Sequence, residues 1–211
     1  MFAQVIKKRD LKVLQACPEV ISRHFYLGGG TALALHIGHR YSQDFDFFSS
    51  EEFNNEWLKQ ALSTVGILKV FQDKKGTLEG MLRNSRFSFF YYPYPLLRPL
   101  VQFENIKLAS VTDTALMKLS ALSSRGSKKD FIDLYSLRDS LVWKSLMRNF
   151  EKKYRGTGYN LYHILKSLAY FVDAEAEPMP RMIIPCQWPQ VQDYFFHVQQ
   201  QLIDHYWQQS S

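Results

Sequence analysis

The chain has 211 residues, of which 46% are hydrophobic, 15% aromatic and 22% charged, with a net charge of +6 and a pI near 9.2. That balance excludes a disordered chain and fits one large domain or two small ones, and no apolar run approaches the ~20 residues that a membrane helix needs. The mild basicity is compatible with a polyanionic partner such as a nucleic acid without specifying one.

The opening residues MFAQVIKKRD lack the apolar stretch of a secretory signal. Residues 8–16 read as a short amphipathic helix that Pro18 ends or redirects. Residues 24–27 form a short apolar run, read as a buried strand. Gly28, Gly29 and Gly30 follow as a turn. Residues 31–37 read as a helix, with Gly38 as its C′ residue. From Arg40 to Phe47 polar and aromatic residues alternate. A strand there would place Arg40, Ser42, Asp44 and Asp46 on one face and anchor Phe45 and Phe47 in the core.

Residues 52–65 read as a helix, and residues 67–72, 77–82 and 87–92 as strands joined by turns at 73–76 and 83–85. The three prolines of residues 92–99, YPYPLLRP, fit neither a central strand nor a helix interior and mark a crossing between two halves. The period then becomes helical. Thr112 is a candidate N-cap for a helix through Leu122, and a second helix is expected over about 130–142. Helices near 144–154, 159–173 and 190–207 complete the chain, with a proline-rich loop before the last. The expected fold is α+β, a mixed sheet with helices followed by a helical half. Cys17 and Cys186 lie far apart and form no CxxC pair, which points to two reduced thiols in a cytoplasmic protein rather than a zinc site or disulfide framework.

The chemistry concentrates in residues 25–48, FYLGGGTALALHIGHRYSQDFDFF. A helix N-terminus presents unpaired N–H groups and a positive dipole end, and glycine lets a phosphate approach. Glycines alone fit a tight turn equally well. Residue 33 is leucine, so GxGxxG fails, and no Gly-Lys-Ser/Thr is present. Aspartates two apart on a strand stand about 6.5 to 7 Å from each other. Their carboxylates can converge on one Mg²⁺ or bridge two ions roughly 3.5 to 4 Å apart. A bare D-x-D can also be a solvated strand face. The phosphate-type turn 14 residues upstream of Asp44 favours the metal reading.

GGGTALAL followed by RYSQDFDFF resembles the AbiEii/AbiGii toxin group of nucleotidyltransferases, a branch of the DNA-polymerase-β-like superfamily. NIKLASVTDTALMKLSALSSRGSKKDFIDLYSL is similar to the branch's second block, and LAYFVDAEAEPMPRMI to its C-terminal part. The resemblance implies that Gly29, Gly30 and Thr31 form the nucleotide-phosphate turn and that Asp44 and Asp46 bind Mg²⁺ or Mn²⁺. It implies that Lys118 contacts the nucleotide phosphates and that Asp130 serves as a third carboxylate or as the base. Glu79 is the alternative third carboxylate. Arg125 and Lys129 stand near Asp130 in the sequence and could neutralise phosphate charge; Arg40 and Ser42 join the nucleotide-binding candidates. Residues 1–105 are then the nucleotidyltransferase core, and residues 106–211 a helical domain that completes the cleft. The implied activity is transfer of a nucleoside monophosphate from an NTP to an acceptor hydroxyl, with RNA such as tRNA as a candidate acceptor and a cognate antitoxin as a candidate partner. A non-catalytic nucleotide-binding module on the same fold is the alternative. Lys128, Lys129, Arg138, Lys144, Arg148, Lys152, Lys153 and Arg155 form a basic stretch that, if gathered with Tyr154 and Tyr159, could hold an RNA backbone.

Overall fold

The computed structural model describes residues 1–208. The chain divides into two compact units, Met1–Thr114 and Ala115–Ser211.

In the first unit a single 3-10 turn, Ala3–Val5, precedes α1 (Lys8–Gln15), α2 (Glu19–His24), β1 (Tyr26–Leu27), α3 (Gly29–Ile37), β2 (Asp44–Ser49) and α4 (Asn55–Ser63). Then come β3 (Leu68–Lys74), β4 (Thr77–Leu82), β5 (Ser85–Tyr91), β6 (Val101–Phe103) and β7 (Ile106–Leu108). The seven strands form one mixed sheet in the order β3-β4-β5-β2-β1-β7-β6. β2 runs parallel to β5 and β1 parallel to β7, and the other neighbours are antiparallel.

The sheet is held where β2 meets β5. Their register sets Phe45 opposite Phe87 and Phe47 opposite Phe89. All four side chains are 0–1% exposed. The Phe47 and Phe89 rings stack with centroids 5.0 Å apart, and Phe45 and Phe87 meet at 5.1 Å. Each fully buried phenylalanine contributes about 1.5–3 kcal/mol of transfer free energy. This aromatic seam fixes which way the alternate residues Asp44, Asp46 and Phe48 must face.

The structure departs from the sequence reading at several places. The alternation over 40–47 does not make one strand: β2 begins at Asp44, so Arg40 and Ser42 lie on the connection from α3 and do not share the aspartates' strand face. Residues 19–24 form α2, because Pro18, with φ −60° and an extended ψ, opens a new helix where it closes the last. The strand expected over 24–27 shrinks to two residues. Residues 101–108 form the hairpin β6–β7, whose three-residue strands are too short to show a period. The proline segment has no regular structure, as expected. The buried Asp113 carboxylate ties it down, accepting from the Leu97 and Arg98 N–H groups at 2.9 and 3.0 Å.

α5 (Val111–Arg125) begins in the first unit and continues into the second. Thr112 lies inside it. Ser110 is the cap: the Asp113 N–H donates to its hydroxyl at 2.9 Å, and that hydroxyl donates to the Asp113 carboxylate at 2.8 Å. The second unit continues with α6 (Lys128–Tyr135), α7 (Trp143–Lys153), α8 (Leu161–Ser167), α9 (Val172–Glu175) and α10 (Trp188–Gln208). The helix expected over 130–142 therefore ends early, and the one over 159–173 is two short helices. Phe131 is fully buried among Phe171, Phe195 and Trp188, at ring distances of 4.9, 5.1 and 5.8 Å. Both cysteines are free thiols. Cys17 is buried in the first unit's core, and burial pushes its thiol up to about 12.

Truncating the seam should be costly. Phe47→Ala is expected to lower unfolding free energy by about 3–5 kcal/mol, read as a drop in the urea midpoint at constant m-value.

Candidate active site

Gly28 and Gly29 bring the start of α3 against β2. The Gly28 N–H donates to the Asp46 carbonyl at 2.9 Å. Gly29 opens α3 with φ +60°, a left-handed conformation that costs other residues about 1–2 kcal/mol. A Cβ placed on Gly29 would stand 3.1 Å from Asp46 Oδ2, tighter than ordinary van der Waals contact. Only glycine lets the helix start and the carboxylate lie this close. The first-turn N–H groups of α3, those of Gly29, Gly30 and Thr31, have no intrahelical acceptor and carry the positive end of the helix dipole.

The Thr31 side chain is buried and works inside the fold. Its hydroxyl donates to the Asp44 carbonyl and so accepts from the Ser42 hydroxyl at 2.7 Å. Ser42 in turn is fixed by its N–H, which donates to the Val5 carbonyl at 3.0 Å. Arg40 is also buried, with its guanidinium donating to the Tyr41 carbonyl at 3.1 Å. These three residues brace the connection between the glycine turn and the aspartates.

Asp44 is exposed and Asp46 half-buried, on the face of β2 opposite the phenylalanine seam. Among the described residues no three His, Cys, Asp or Glu side chains gather into a metal cage. Two carboxylates fit a hard cation such as Mg²⁺ or Mn²⁺ that keeps several waters and takes substrate phosphate oxygens. They do not fit a structural zinc, which needs four protein ligands. Glu79, on β4, lies in the same cross-strand row as Asp46, but Ser88 of β5 stands between them. Two strand spacings put it about 9–10 Å from Asp46, and its carboxylate pairs with Arg86 at 3.2 Å. Ser88 and Arg86, the β5 partners of Asp46 and Asp44, were not among the sequence candidates. Only the strand register reveals them. A surface hollow of about 420 Å³, lined by residues from Lys59 to Val70, opens at the β3 edge and contains none of these residues.

The second unit gathers the later candidates. Lys118, on α5, is buried with its ammonium 2.8 Å from Asp130 and 2.6 Å from Asp133. Asp130 is fully buried and also accepts from Arg125 Nε at 2.9 Å and Ser127 Oγ at 2.8 Å. Burial by itself would raise the Asp130 carboxyl, but the Lys118 charge and the Arg125 hydrogen bond outweigh it and hold the group below its ordinary range. Asp133, three residues on and so on the same helix face, was missed as a candidate. Arg125 keeps its side chain 66% exposed, and Lys129 is exposed. The basic stretch is not one patch. Lys128 is buried, donating to the Glu177 carbonyl and covering the Trp188 ring, and Lys153 and Tyr154 are buried as well. Lys144, Arg148 and Lys152 recur every four residues along the exposed side of α7.

A sequence profile of the nucleotidyl transferase AbiEii toxins of type IV toxin–antitoxin systems matches residues 13–97, which hold the glycine turn and both aspartates. The uncharacterized protein aq_aa25 of Aquifex aeolicus (strain VF5) is 37% identical over 197 residues, spanning 90% of this chain and 94% of that protein. The chain belongs to the AbiEii nucleotidyltransferase toxin family. It is a nucleotidyltransferase. JHP933 from Helicobacter pylori superposes with a TM-score of 0.56 at 15% identity, covering 97% of this chain and 96% of its own. A second H. pylori chain gives 0.55 at 16%, covering 97% and 99%. At such identities the likeness concerns the fold, which is the mixed-sheet α+β nucleotidyltransferase fold expected from the sequence. The profile match stops at residue 97, before Lys118 and Asp130.

Two measurements probe these arrangements in the AbiEii-type chain. Gly29→Ala is expected to cost about 1–2 kcal/mol of stability and to lower nucleotidyl transfer about tenfold or more through crowding at Asp46, read by urea unfolding beside a transfer assay. The second concerns acid. Because the folded Asp130 carboxyl lies below its ordinary value of 3.8, its stabilisation is complete above that pH and is lost as pH falls through the folded value. Asp130→Asn is therefore expected to flatten the acid limb of stability below about pH 4. At neutral pH it should destabilise by about 1–3 kcal/mol, since Lys118 and Arg125 lose a charged partner while Lys118 keeps Asp133.

Proposed function

We propose that this nucleotidyltransferase moves a nucleoside monophosphate from an NTP, with Mg²⁺ or Mn²⁺, to a hydroxyl of an RNA such as tRNA. We place that activity in the cytoplasm as a toxin restrained by a cognate antitoxin. The observation that carries the reading is the seating of Asp46 against the left-handed Gly29 at the start of α3, with Asp44 beside it on an open sheet face. The family supports the transferase and toxin part. No helix among the described residues is long and apolar enough to cross a membrane.

In this reading Asp44 and Asp46 would hold the cation, which would supply charge stabilisation to the phosphoryl oxygens. The α3 N–H groups of Gly29 and Gly30 hold triphosphate oxygens. Thr31, Ser42 and Arg40 keep that turn and Asp44 in register. The acceptor hydroxyl releases its proton to solvent water as its oxygen bonds to the α-phosphorus and the bond to the bridging oxygen breaks, and pyrophosphate leaves. In the second unit, Arg125 and Lys129 have exposed side chains, Arg125 with its guanidinium on Asp130. Lys118 and Asp130 hold α5 to α6 beneath them.

Incubating the purified protein with each labelled NTP, Mg²⁺ and total RNA tests the reading. Label should enter RNA with release of pyrophosphate. Asp46→Asn should abolish incorporation, by about 10³-fold or more, while the circular dichroism spectrum and melting temperature stay near wild type. Full incorporation by that variant would refute the metal role of the pair. Binding of Mg²⁺-NTP without transfer into any RNA would leave a nucleotide-binding module in place of the transferase.

A further inference from the structure

We propose that the aromatic face next to Asp46 seats the base of the donor nucleotide, an inference that rests on the NTP-dependent reading above. Phe48 follows Asp46 by two residues on β2, so it shares that face at about 6.5 to 7 Å. The register puts Tyr26 of β1 and Phe90 of β5 beside Phe48. Ring centroids lie 6.0 Å from Phe48 to Tyr26 and 5.5 Å from Phe48 to Phe90. The Tyr92 N–H donates to the Ser49 carbonyl at 2.7 Å, which carries the chain past the end of β2 and turns the Tyr92 ring onto Phe48 at 5.3 Å. Tyr94 adds an edge-on contact to Tyr92 at 4.6 Å.

The two faces of the same strands behave differently. Phe45, Phe47, Phe87 and Phe89 are sealed, whereas Phe48, Phe90, Tyr92 and Tyr94 stay partly exposed. Tyr26 is buried at the inner edge of this face, and an aromatic surface that is rigid at sheet spacing and partly exposed is suited to a planar, π-bearing occupant. One end of the surface adjoins two carboxylates and the N-terminus of α3. That placement favours an aromatic ring tethered to phosphates and disfavours an apolar peptide, which would lie against Asp44 and Asp46. Stacking on π-faces accepts every base, so the site is expected to bind nucleoside triphosphates broadly and to rank them weakly.

Calorimetry with ATP and with inorganic tripolyphosphate, both in Mg²⁺, separates base from phosphate. The wild type should bind ATP at least about fivefold more tightly than tripolyphosphate, the lower end of one base–aromatic stack. Phe48→Leu should bring ATP down to the tripolyphosphate level and leave tripolyphosphate unchanged, and Phe48→Tyr should keep the margin. A Phe48→Leu protein that keeps the wild-type margin overturns the proposal, as does a wild type that transfers nucleotide but binds both ligands equally. A wild type that binds neither ligand overturns the NTP reading itself. If Phe48→Leu loses tripolyphosphate too, Tyr92→Leu at the rim gives the same comparison: loss of ATP affinity alone supports the aromatic seat, and an unchanged margin refutes it.

Discussion

The alternation along β2 is the constraint on which the first unit depends. Within its six residues, DFDFFS, Phe45 and Phe47 must face one side of the sheet and Asp44 and Asp46 the other. A slip of one residue against β5 would bury both aspartates and expose Phe45 and Phe47. The parallel register with β5 and the antiparallel register with β1 exclude that slip from both sides. The aspartates hold their place because Phe45 and Phe47, which alternate with them, cannot move. Their mutual repulsion, modest on an exposed face, is set against the burial of four aromatic rings.

The second unit uses charge in the opposite way. Asp130 and Asp133 are fully buried there, and each is met by a cation or hydroxyl. A buried lysine between two carboxylates is expensive to desolvate and more expensive to leave half-paired, so it specifies how α5 and α6 pack rather than adding much stability. Its ammonium is committed within the unit, and the exposed groups of that neighbourhood are Arg125 and Lys129. The two carboxylate sets thus differ in kind. Asp44 is exposed and Asp46 half-buried on the sheet face, and Asp130 and Asp133 face in toward a cation of the chain.

Much of this was legible in the sequence, and the misreadings have physical causes. The strands over 77–82 and the seam of Phe45 and Phe47 follow from period-two patterning, which is reliable where both ends are anchored. Arg40 and Ser42 fit the same parity by accident. Alternation over four loop residues carries no information about a backbone that turns to reach Val5 and Tyr41. Thr112 and Ser110 are equally good caps in the sequence, and the carboxylate of Asp113 decides between them because it also ties the proline segment. Ser88, Arg86 and Asp133 went unnoticed for one reason: each gains its place from a neighbour on another element, and a linear pattern does not record neighbours.

The same limit hid the open aromatic face. A run such as DFDFF directs attention to the rings that alternate with the aspartates, and the next phenylalanine, Phe48, looks like more core. The register shows otherwise, since Phe48 has the parity of the acids. Phe90 and Tyr92 on the neighbouring chain segment then line up with it across the sheet. Sixteen phenylalanines and twelve tyrosines in 211 residues exceed what one sealed seam can use. On this sheet they divide by parity into rings that fix the carboxylates and rings that remain open beside them.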